Sequence, residues 1–308
     1  MQARIDMLND ERLTGKGISA GILRTDLLHE HYGGNKWYKL RYNLQAAKEA
    51  GAKTILTFGG AFSNHIAATA AAAKEHHFSS IGIIRGEATE PLNTTLSFAA
   101  GCGMRLHHVS REKYGKKNTP EFLNELRAVF GDFYPIPEGG SNTEGVRGCT
   151  EIIGPAQDDF DTVMLACGTG ATLAGVALSL QKTKRVIGVP VFRNGAFLQL
   201  DVDEHIRGFL RHYPAHVFEK PEILLQCDYH FGGYARQTGT LFGFVKQFEE
   251  KSAIPLDYVY TSKLLFAFYD LAQKNFFRKG ERILLVHSGG LQGNTGILRK
   301  YFGKNESI

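Results

Sequence analysis

Short apolar runs alternate with helical patterns along most of the chain. The runs TILTFGG (54–60), SSIGIIRG (79–86) and TVMLACGTG (162–170) have the length and the β-branched content of buried strands. Similar runs occupy residues 104–110, 132–140, 185–192, 222–230 and 282–290, and helical patterns occupy residues 63–77, 93–101, 121–131, 171–180 and 200–213. Strands that alternate with helices predict an α/β fold, in which parallel sheets are covered by helices on both faces.

The composition is that of an ordinary globular protein. Of 308 residues, 43% are hydrophobic and 22% are charged, so the chain is long enough for two lobes with separate cores. The net charge of +5 is small and the basic residues are scattered, so neither nucleic acid nor a membrane is an expected partner. No linker rich in proline or serine divides the chain, so a second domain is predicted to be an insertion.

The N-terminal sequence and the cysteines bear on the compartment. MQARIDMLNDERL lacks the apolar stretch of a secretory signal, and no segment has the roughly 18 apolar residues that span a bilayer, so a cytoplasmic location is expected. The four cysteines are far apart and form no C-x-x-C pair, which favours reduced, packed thiols. The histidines lack the helical spacing and the supporting carboxylate of a zinc protease, so no metal is expected.

Glycines cluster where three predicted strands end, at 59–60, 168–170 and 289–290. Ligands of open α/β sheets bind at the carboxyl ends of strands. CGTGAT (167–172) is the best candidate for a phosphate loop, because it joins a strand to a helix through small and hydroxyl residues. Leu173 replaces the last glycine of G-x-G-x-x-G, which disfavours a dinucleotide. The alternative is a glycine turn that only lets the helix pack on its strand.

FSNH (62–65) raises a similar question at a second helix start. Ser63 or Asn64 is a natural N-cap for the alanine-rich helix that follows. The first ten positions of that helix are small and nearly uncharged, so its free N–H groups could also bind a carboxylate. Capping and anion binding are compatible.

Lys36 stands in HYGGNKWYKL (31–40), directly after two glycines and an asparagine. The spacing G-x-x-x-x-G-K-[ST] of a nucleotide-triphosphate loop is not met. Lys36 is therefore a surface residue, a salt-bridge partner or an amine that takes part in chemistry. A Schiff base to pyridoxal phosphate is the chemistry that uses a reactive amine, a phosphate loop and a carboxylate site together.

The segments around these residues resemble one enzyme family. GGNKWYKL is similar to the G-G-N-K-x-R-K-L segment, and FGGAFSNH to the G-x-x-Q-S-N-[HQ] segment, of the pyridoxal-phosphate enzymes that include D-cysteine desulfhydrase and 1-aminocyclopropane-1-carboxylate (ACC) deaminase. LRTDLL (23–28) looks like the acidic strand that precedes the lysine in that family. Later segments follow in the family's order, at 136–148, 165–175, 232–235, 257–263 and 286–290. The resemblance covers essentially the whole chain, which starts later than usual members do.

The resemblance implies a fold and an assembly. The fold would be the two-domain, tryptophan synthase β-like fold (fold type II), with parallel-rich sheets between helices. Residues 1–48 and 141–308 would form a large cofactor-binding domain, and residues 49–140 a small inserted domain that closes over the substrate. The protein would act as a homodimer on a small amino acid.

The resemblance also implies roles for individual residues. Lys36 would carry pyridoxal 5'-phosphate and act as the base, and Lys39 would pair with its phosphate. The other phosphate ligands would be backbone and hydroxyl groups of Gly168, Thr169, Gly170, Ala171 and Thr172. Asn64 would bond the phenolic oxygen of the cofactor. The substrate carboxylate would be held by Ser63, itself counted as catalytic, and by the N–H groups around Asn64 and His65.

The remaining implied residues bear on the reaction. Tyr234 and Tyr260 correspond to the family's two active-site tyrosines, although a tyrosine taken alone is more often a packing residue. Thr261 falls at the position that faces the pyridine nitrogen, with Ser288 near it. ACC deaminases have glutamate and leucine there, whereas desulfhydrase-like members have two hydroxyl residues, as this chain has.

The expected reaction is therefore release of hydrogen sulfide, pyruvate and ammonia from D-cysteine or a related amino acid, by α-proton abstraction and β-elimination. ACC deamination is the first alternative, and a catalytically inactive binding protein with the same fold is the second. Phe62 replaces a common glutamine, and Trp37-Tyr38 replaces a residue and an arginine. Both changes are expected to make the pocket more apolar or narrower.

Overall fold

Two sheets organise residues 3–303, the part of the chain that the computed structural model describes. The strands of this part are β1 (Ile5–Met7), β2 (Ser19–Leu23), β3 (Thr54–Gly60), β4 (Ser79–Arg85), β5 (Met104–Val109), β6 (Tyr134–Ile136), β7 (Thr162–Cys167), β8 (Arg185–Pro190), β9 (Glu222–Leu225) and β10 (Arg282–Val286). The larger sheet has the order β1-β2-β10-β7-β8-β9, and the smaller has the order β5-β4-β3-β6. β1 pairs with β2 in antiparallel fashion, and the other neighbours are parallel.

Helices connect most of the successive parallel strands, as the alternating pattern predicts. Those within residues 3–303 are α1 (Glu11–Thr14), α2 (Asn35–Glu49), α3 (Asn64–Glu75), α4 (Thr94–Gly101), α5 (Arg111–Gly115), α6 (Pro120–Phe130), α7 (Thr143–Cys149), α8 (Ala171–Ser179), α9 (Leu198–His212), α10 (Gly239–Ser252), α11 (Thr261–Gln273) and α12 (Asn294–Phe302). None of these helices combines the length and the apolar character that a bilayer crossing requires.

The central strand β10 shows that the larger sheet is covered on both faces. Successive side chains of a strand point to opposite faces. Ile283 and Leu285 join a cluster that includes buried residues of α11, whereas Leu284 and Val286 join a cluster that includes buried residues of α8. Each of these four side chains is at most 1% exposed, and burying one contributes about 1.5–3 kcal/mol.

The alanine-rich helix α3 packs tightly against the smaller sheet. All its residues from Asn64 to Ala73 except Asn64 itself are buried. Small side chains allow this close approach, and they leave the first turn of the helix without charge. The start of α3 is therefore an uncluttered helix N-terminus at the end of β3.

Residues 23–28 form no strand beyond Leu23. β2 ends there, and residues Thr25–Leu28 form a 3-10 helix. Arg24 is 4% exposed and pairs with Asp26 at 2.7 Å and with Asp6 at 2.9 Å, so the chain bends where these side chains meet. The prediction of a strand over 23–28 was wrong after its first residue.

The two sheets draw on separate stretches of sequence. The strands of the smaller sheet all come from residues 54–136, and those of the larger sheet come from both sides of that stretch. The domain limits that we predict at 48/49 and 140/141, and the closure of the inserted part over a substrate, stay predictions.

Candidate active site

A cleft of about 450 Å³ opens where strands of both sheets end. Residues directly after β3, β7 and β10 line it, and so does Arg85 at the end of β4. The first turn of α2 contributes Asn35 and Lys36, and Lys39 follows on the next turn. The glycine clusters of the three strand ends thus meet in one place, as their positions predict.

Lys36 lies in the first turn of α2, which is docked on the end of β10. Gly34 precedes the helix with φ of +76°, and the backbone N–H of Asn35 donates to the Ser288 carbonyl at 3.2 Å. The Asn35 side chain donates to Thr172 Oγ1 at 3.0 Å, and its Oδ1 accepts from Lys36 Nζ at 3.1 Å. These contacts hold the amine of Lys36 beside the glycine loop.

The two lysines of the cleft stand on one face of α2, because residues three apart on a helix are neighbours. Burial lowers the pKa of Lys36 to about 7, and the positive charge of Lys39 adds to the effect. Lys39 is 2% exposed, its amine donates to the Gly139 carbonyl at 3.1 Å, and burial lowers its pKa as well. Within residues 3–303, no carboxylate lies within 4 Å of either amine. A buried ammonium without a carboxylate partner is suited to an anionic ligand.

The loop after β7 has the form of a phosphate site. Gly170 has φ of +78° and is the N-cap of α8, so the first N–H groups of that helix are directed at the cleft. The hydroxyl of Thr169 accepts a hydrogen bond from the hydroxyl of Ser141. A methyl group on Gly168 would meet the ring of Tyr260 at 3.4 Å. Together with Lys39, this loop fits the phosphate of pyridoxal phosphate.

The start of α3 forms the opposite wall of the cleft. The Ser63 hydroxyl caps the helix by accepting from the N–H of His65 at 3.2 Å. Asn64 Oδ1 accepts from Gln292 Nε2 at 2.6 Å. A Cβ atom on Gly290, which has φ of +96°, would lie 2.4 Å from Asn64 Nδ2, so only glycine allows this approach. The cap by Ser63 and the close contact with Gly290, in the loop after β10, together hold Asn64 in the cleft.

His65 is buried and neutral at pH 7. Its Nε2 lies 2.9 Å from Thr57 Oγ1, and that hydroxyl donates its single proton to the Ile136 carbonyl. His65 Nε2 must therefore donate, which fixes the tautomer. Burial holds the pKa of His65 well below its ordinary value, and the charges of Lys36 and Lys39 lower it further.

Two tyrosines line the cleft on the side of the larger sheet. The rings of Tyr234 and Tyr260 meet edge to face, with centroids 6.1 Å apart. Burial raises the pKa of Tyr260 well above its ordinary value, so this phenol is a proton donor at neutral pH. Tyr234 is 51% exposed and stands beside the opening.

Thr261 and Ala171 are absent from the residues that line the cleft. Thr261 is fully buried, and its hydroxyl donates to Asp257 Oδ2 at 2.6 Å and accepts from the Asp257 N–H at 2.9 Å. Ser288 does line the cleft. The role predicted for Thr261 at a ring nitrogen stays a prediction, and of the two hydroxyl residues predicted near that nitrogen only Ser288 lines the cleft.

The side chains between the two lysines point elsewhere. Trp37 stacks on Tyr32 at 5.6 Å, and Trp37 and Tyr38 line a separate cavity of about 510 Å³. The helical repeat turns positions 37 and 38 away from the face that carries Lys36 and Lys39. The prediction that Trp37-Tyr38 narrows the pocket was wrong, whereas Phe62 does line it.

Sequence reasoning missed several residues of the cleft. Arg85 and Glu138 line it as charged groups, and Phe192 adds an aromatic wall. Arg85 is the last residue of β4, so its place at a strand end could have marked it. Glu138 lies in the segment 136–148 that resembles the family but was not singled out there, whereas Phe192 carries no motif that distinguishes it from other loop residues.

Known proteins resemble the chain over almost its whole length. The family described as "Pyridoxal-phosphate dependent enzyme" matches residues 15–289. A Pyrococcus horikoshii protein is named, provisionally, a 1-aminocyclopropane-1-carboxylate deaminase. Its sequence is 33% identical to this chain, over 90% of this chain and 86% of the relative. D-cysteine desulfhydrase of Klebsiella pneumoniae is 30% identical, over 87% of this chain and 86% of its own.

A solved structure gives the same result for the fold. The crystal structure of an ACC deaminase homologue superposes with a TM-score of 0.83 at 30% identity, over 97% of this chain and 93% of that one. The predicted α/β fold of the tryptophan synthase β-like type and the predicted cofactor, pyridoxal phosphate, are confirmed. The chain belongs to the family of pyridoxal-phosphate-dependent enzymes, in the group that includes ACC deaminases and D-cysteine desulfhydrases.

Proposed function

We propose that this enzyme is a lyase that converts D-cysteine, or a closely related amino acid, with one water molecule to hydrogen sulfide, pyruvate and ammonia. The observation that carries the proposal is that Ser288 lines the cleft, at a position where the resemblance implies leucine in a deaminase and a hydroxyl residue in a desulfhydrase. A hydroxyl beside the ring supports loss of a proton and of a good β-leaving group, such as a thiolate. Opening a cyclopropane ring demands more electron withdrawal.

Bound pyridoxal phosphate supplies the electron-withdrawing ring that makes the α-proton of an attached amino acid acidic. Lys36 would hold it covalently, and its neutral amine would take up the α-proton, since the pKa of about 7 leaves the amine largely unprotonated above neutral pH. Lys39 and the loop at Gly168–Thr172 would hold the phosphate. Ser63 and the first N–H groups of α3 would hold the carboxylate of the substrate.

Tyr234 and Tyr260, on the side of the larger sheet, would donate a proton and limit the access of water to the cleft. Tyr260 is protonated at neutral pH, as an ordinary phenol is, and would donate this proton to a leaving group by general acid catalysis, worth typically 10²–10⁴-fold. Burial raises the pKa of Tyr260, which makes its phenol a weaker acid than an exposed tyrosine. Tyr234 stands beside the opening of the cleft and would limit the access of water. Asn64, already fixed by Gln292, would bond the phenolic oxygen of the cofactor.

ACC deamination is a second candidate function, because the Pyrococcus horikoshii relative carries that name. The buried pair of Thr261 and Asp257 also bears on this alternative. The hydroxyl of Thr261 gives its proton to a carboxylate, so it could only accept a hydrogen bond from a ring nitrogen. Such an acceptor favours a protonated ring, which is the deeper electron sink that a deaminase uses.

Substrate comparison with variants of Ser288 tests the choice between the two reactions. The wild-type enzyme should release sulfide from D-cysteine faster than it releases the four-carbon 2-oxo acid from ACC. Ser288→Ala removes one hydroxyl and should lower kcat/KM for D-cysteine about tenfold, the effect of one hydrogen bond. Ser288→Thr, which keeps a hydroxyl, is the matched control. If wild type processes ACC faster than D-cysteine, the deaminase alternative replaces this proposal.

The pH dependence of cofactor attachment follows from the environment of Lys36. Its pKa of about 7 lies below the ordinary value of 10.5, so the amine is protonated below about pH 7 and neutral above it. We expect the rate at which apoprotein binds pyridoxal phosphate covalently to rise through about pH 7 and to level off by roughly pH 8. Stopped-flow absorbance across this range measures it. A rate that keeps rising towards pH 10 would indicate an ordinary, exposed lysine.

The inactive alternative makes a simple contrary prediction about colour. A lysine joined to pyridoxal phosphate makes the purified protein yellow. A protein that stays colourless after pyridoxal phosphate is added would contradict the proposed enzymatic function.

The homodimer and the cytoplasmic location stay predictions. Sedimentation equilibrium of the pure protein tests whether it is a homodimer.

A further inference from the structure

Lys263 is a buried charge that the site described above does not use. It lies on α11, and its side chain is 0% exposed. Its amine donates to three backbone carbonyls, those of Val191 at 3.1 Å, His230 at 3.0 Å and Gly233 at 2.8 Å. Burial lowers the pKa of Lys263 to about 8, so the ammonium form prevails at neutral pH. Three converging carbonyl oxygens are the ligands that proteins use for monovalent cations.

The three carbonyls belong to two segments that reach the cleft. Val191 follows β8 and precedes Phe192, and Gly233 precedes Tyr234. Both Phe192 and Tyr234 line the cleft. The ammonium group therefore hydrogen-bonds to Val191 and Gly233, which directly precede Phe192 and Tyr234. These two residues of the cleft wall are more than forty positions apart in the sequence.

The backbone around Tyr234 does not hold this conformation by itself. Phe231 has φ of +50° and Ala235 has φ of +53°, and the two glycines between them have φ of +90° and +125°. Left-handed conformations of residues with side chains persist only where the surroundings impose them. The bonds from Lys263 to His230 and Gly233 are such an imposed restraint.

We propose that Lys263 is a positioning residue, whose ammonium group ties the end of β8 to the loop over residues 226–238 and so fixes Phe192 and Tyr234 in the wall of the cleft. The restraint on the two segments follows from the three hydrogen bonds alone. Its effect on turnover rests on the proposed function, in which Tyr234 stands beside the substrate.

Lys263→Met tests the proposal, because methionine keeps much of the volume of the side chain and removes its charge and donors. We expect amide hydrogen exchange to accelerate selectively at residues 191–193 and 228–236 of the holoenzyme. We also expect kcat/KM to fall about 10²-fold, since misplacement of about 1 Å has that effect. Lys246→Met, which removes an exposed lysine of the neighbouring helix α10, is the control and should change neither quantity.

Lys263→Ala adds a readout that a purely structural lysine would not show. The truncation leaves a space with three carbonyl oxygens, and we expect ammonium or methylammonium to restore exchange protection and activity with saturation. Tetramethylammonium, which has no N–H group, should restore neither. Wild-type exchange at both segments in a folded Lys263→Met enzyme would overturn the proposal, as would failure of rescue in a folded Lys263→Ala enzyme.

The exchange and rescue measurements separate this proposal from the proposed function. If no tested amino acid is a substrate, the exchange rates still decide whether Lys263 restrains the two segments. If neither variant folds, wild-type enzyme labelled with ¹⁵N-lysine provides the test. A buried ammonium with three acceptors should give a slowly exchanging NMR signal, and its absence would overturn the proposal.

Discussion

Replacing Lys36 with alanine is expected to abolish both turnover and the covalent attachment of pyridoxal phosphate. The cleft holds two lysine amines, and Lys36 is the one that lies beside Asn35 rather than beside the Gly139 carbonyl. Loss of a positioned base alone lowers a rate by about 10²–10⁴-fold, and loss of the covalent link adds to that effect. Sulfide or 2-oxo acid release and the visible spectrum measure the two losses.

Lys39→Ala is the matched control, because Lys39 stands on the same face of α2. It should weaken cofactor binding, since a buried ammonium no longer opposes the phosphate, but it should leave the covalent link intact. Borohydride reduction followed by peptide mapping locates the link directly. A modified Lys39 in the wild-type enzyme would reverse the roles that we propose for the two lysines.

Alanine in place of Gly34 is expected to lower the free energy of unfolding by about 2–6 kcal/mol. The backbone there has φ of +76°, and an added Cβ would lie 2.0 Å from the carbonyl oxygen of Ser288 and 2.7 Å from the N of Gly289. Conformational strain and overpacking each cost about 1–3 kcal/mol. Urea unfolding of the apoprotein measures the change.

Gly51→Ala separates the two contributions. Gly51 has φ of +70°, yet no atom lies within 4 Å of a Cβ built on it. Only the left-handed conformation opposes that substitution, so it should cost about 1–2 kcal/mol. Equal losses in the two variants would mean that contact between α2 and the end of β10 contributes little to stability.

Much of the sheet architecture is predictable because the strands are buried on both faces. The run at 54–60 coincides with β3, and the run at 79–86 exceeds β4 by one residue. Continuous apolar runs between glycines leave little choice of structure in such strands. β9 is shorter than the run at 222–230, since Gln226 and the residues after it enter the loop that Lys263 restrains.

The start of α2 was not predictable from local sequence. Two glycines and an asparagine before Lys36 have the composition of a turn, yet the helix begins at Asn35. The contact that supports this start is the bond from Asn35 N to the Ser288 carbonyl, which lies on a distant part of the chain. Local patterns carry no information about such a partner.

The candidate site divides in the same way. Ser63 could be identified as a cap from its residue type, whereas the shared face of Lys36 and Lys39 follows only once α2 is known to be a helix. The bond between Thr261 and Asp257 and the three acceptors of Lys263 depend on how the folded backbone turns. The prediction that Thr261 faces the ring nitrogen comes from the resemblance, which carries no information about the hydrogen bond that this hydroxyl donates to Asp257.

The position of β10 in the larger sheet sets the order of events during synthesis. β10 lies between β2 and β7, so those strands have no shared neighbour until residues 282–286 have left the ribosome. Lys36 emerges far earlier, whereas Ser288, whose carbonyl accepts from the backbone N–H of Asn35, is translated about 250 residues later. A nascent chain therefore has the reactive amine of Lys36 long before it has a complete binding site for pyridoxal phosphate. Cofactor capture by Lys36 is therefore expected only after β10 and the backbone that follows it have been translated.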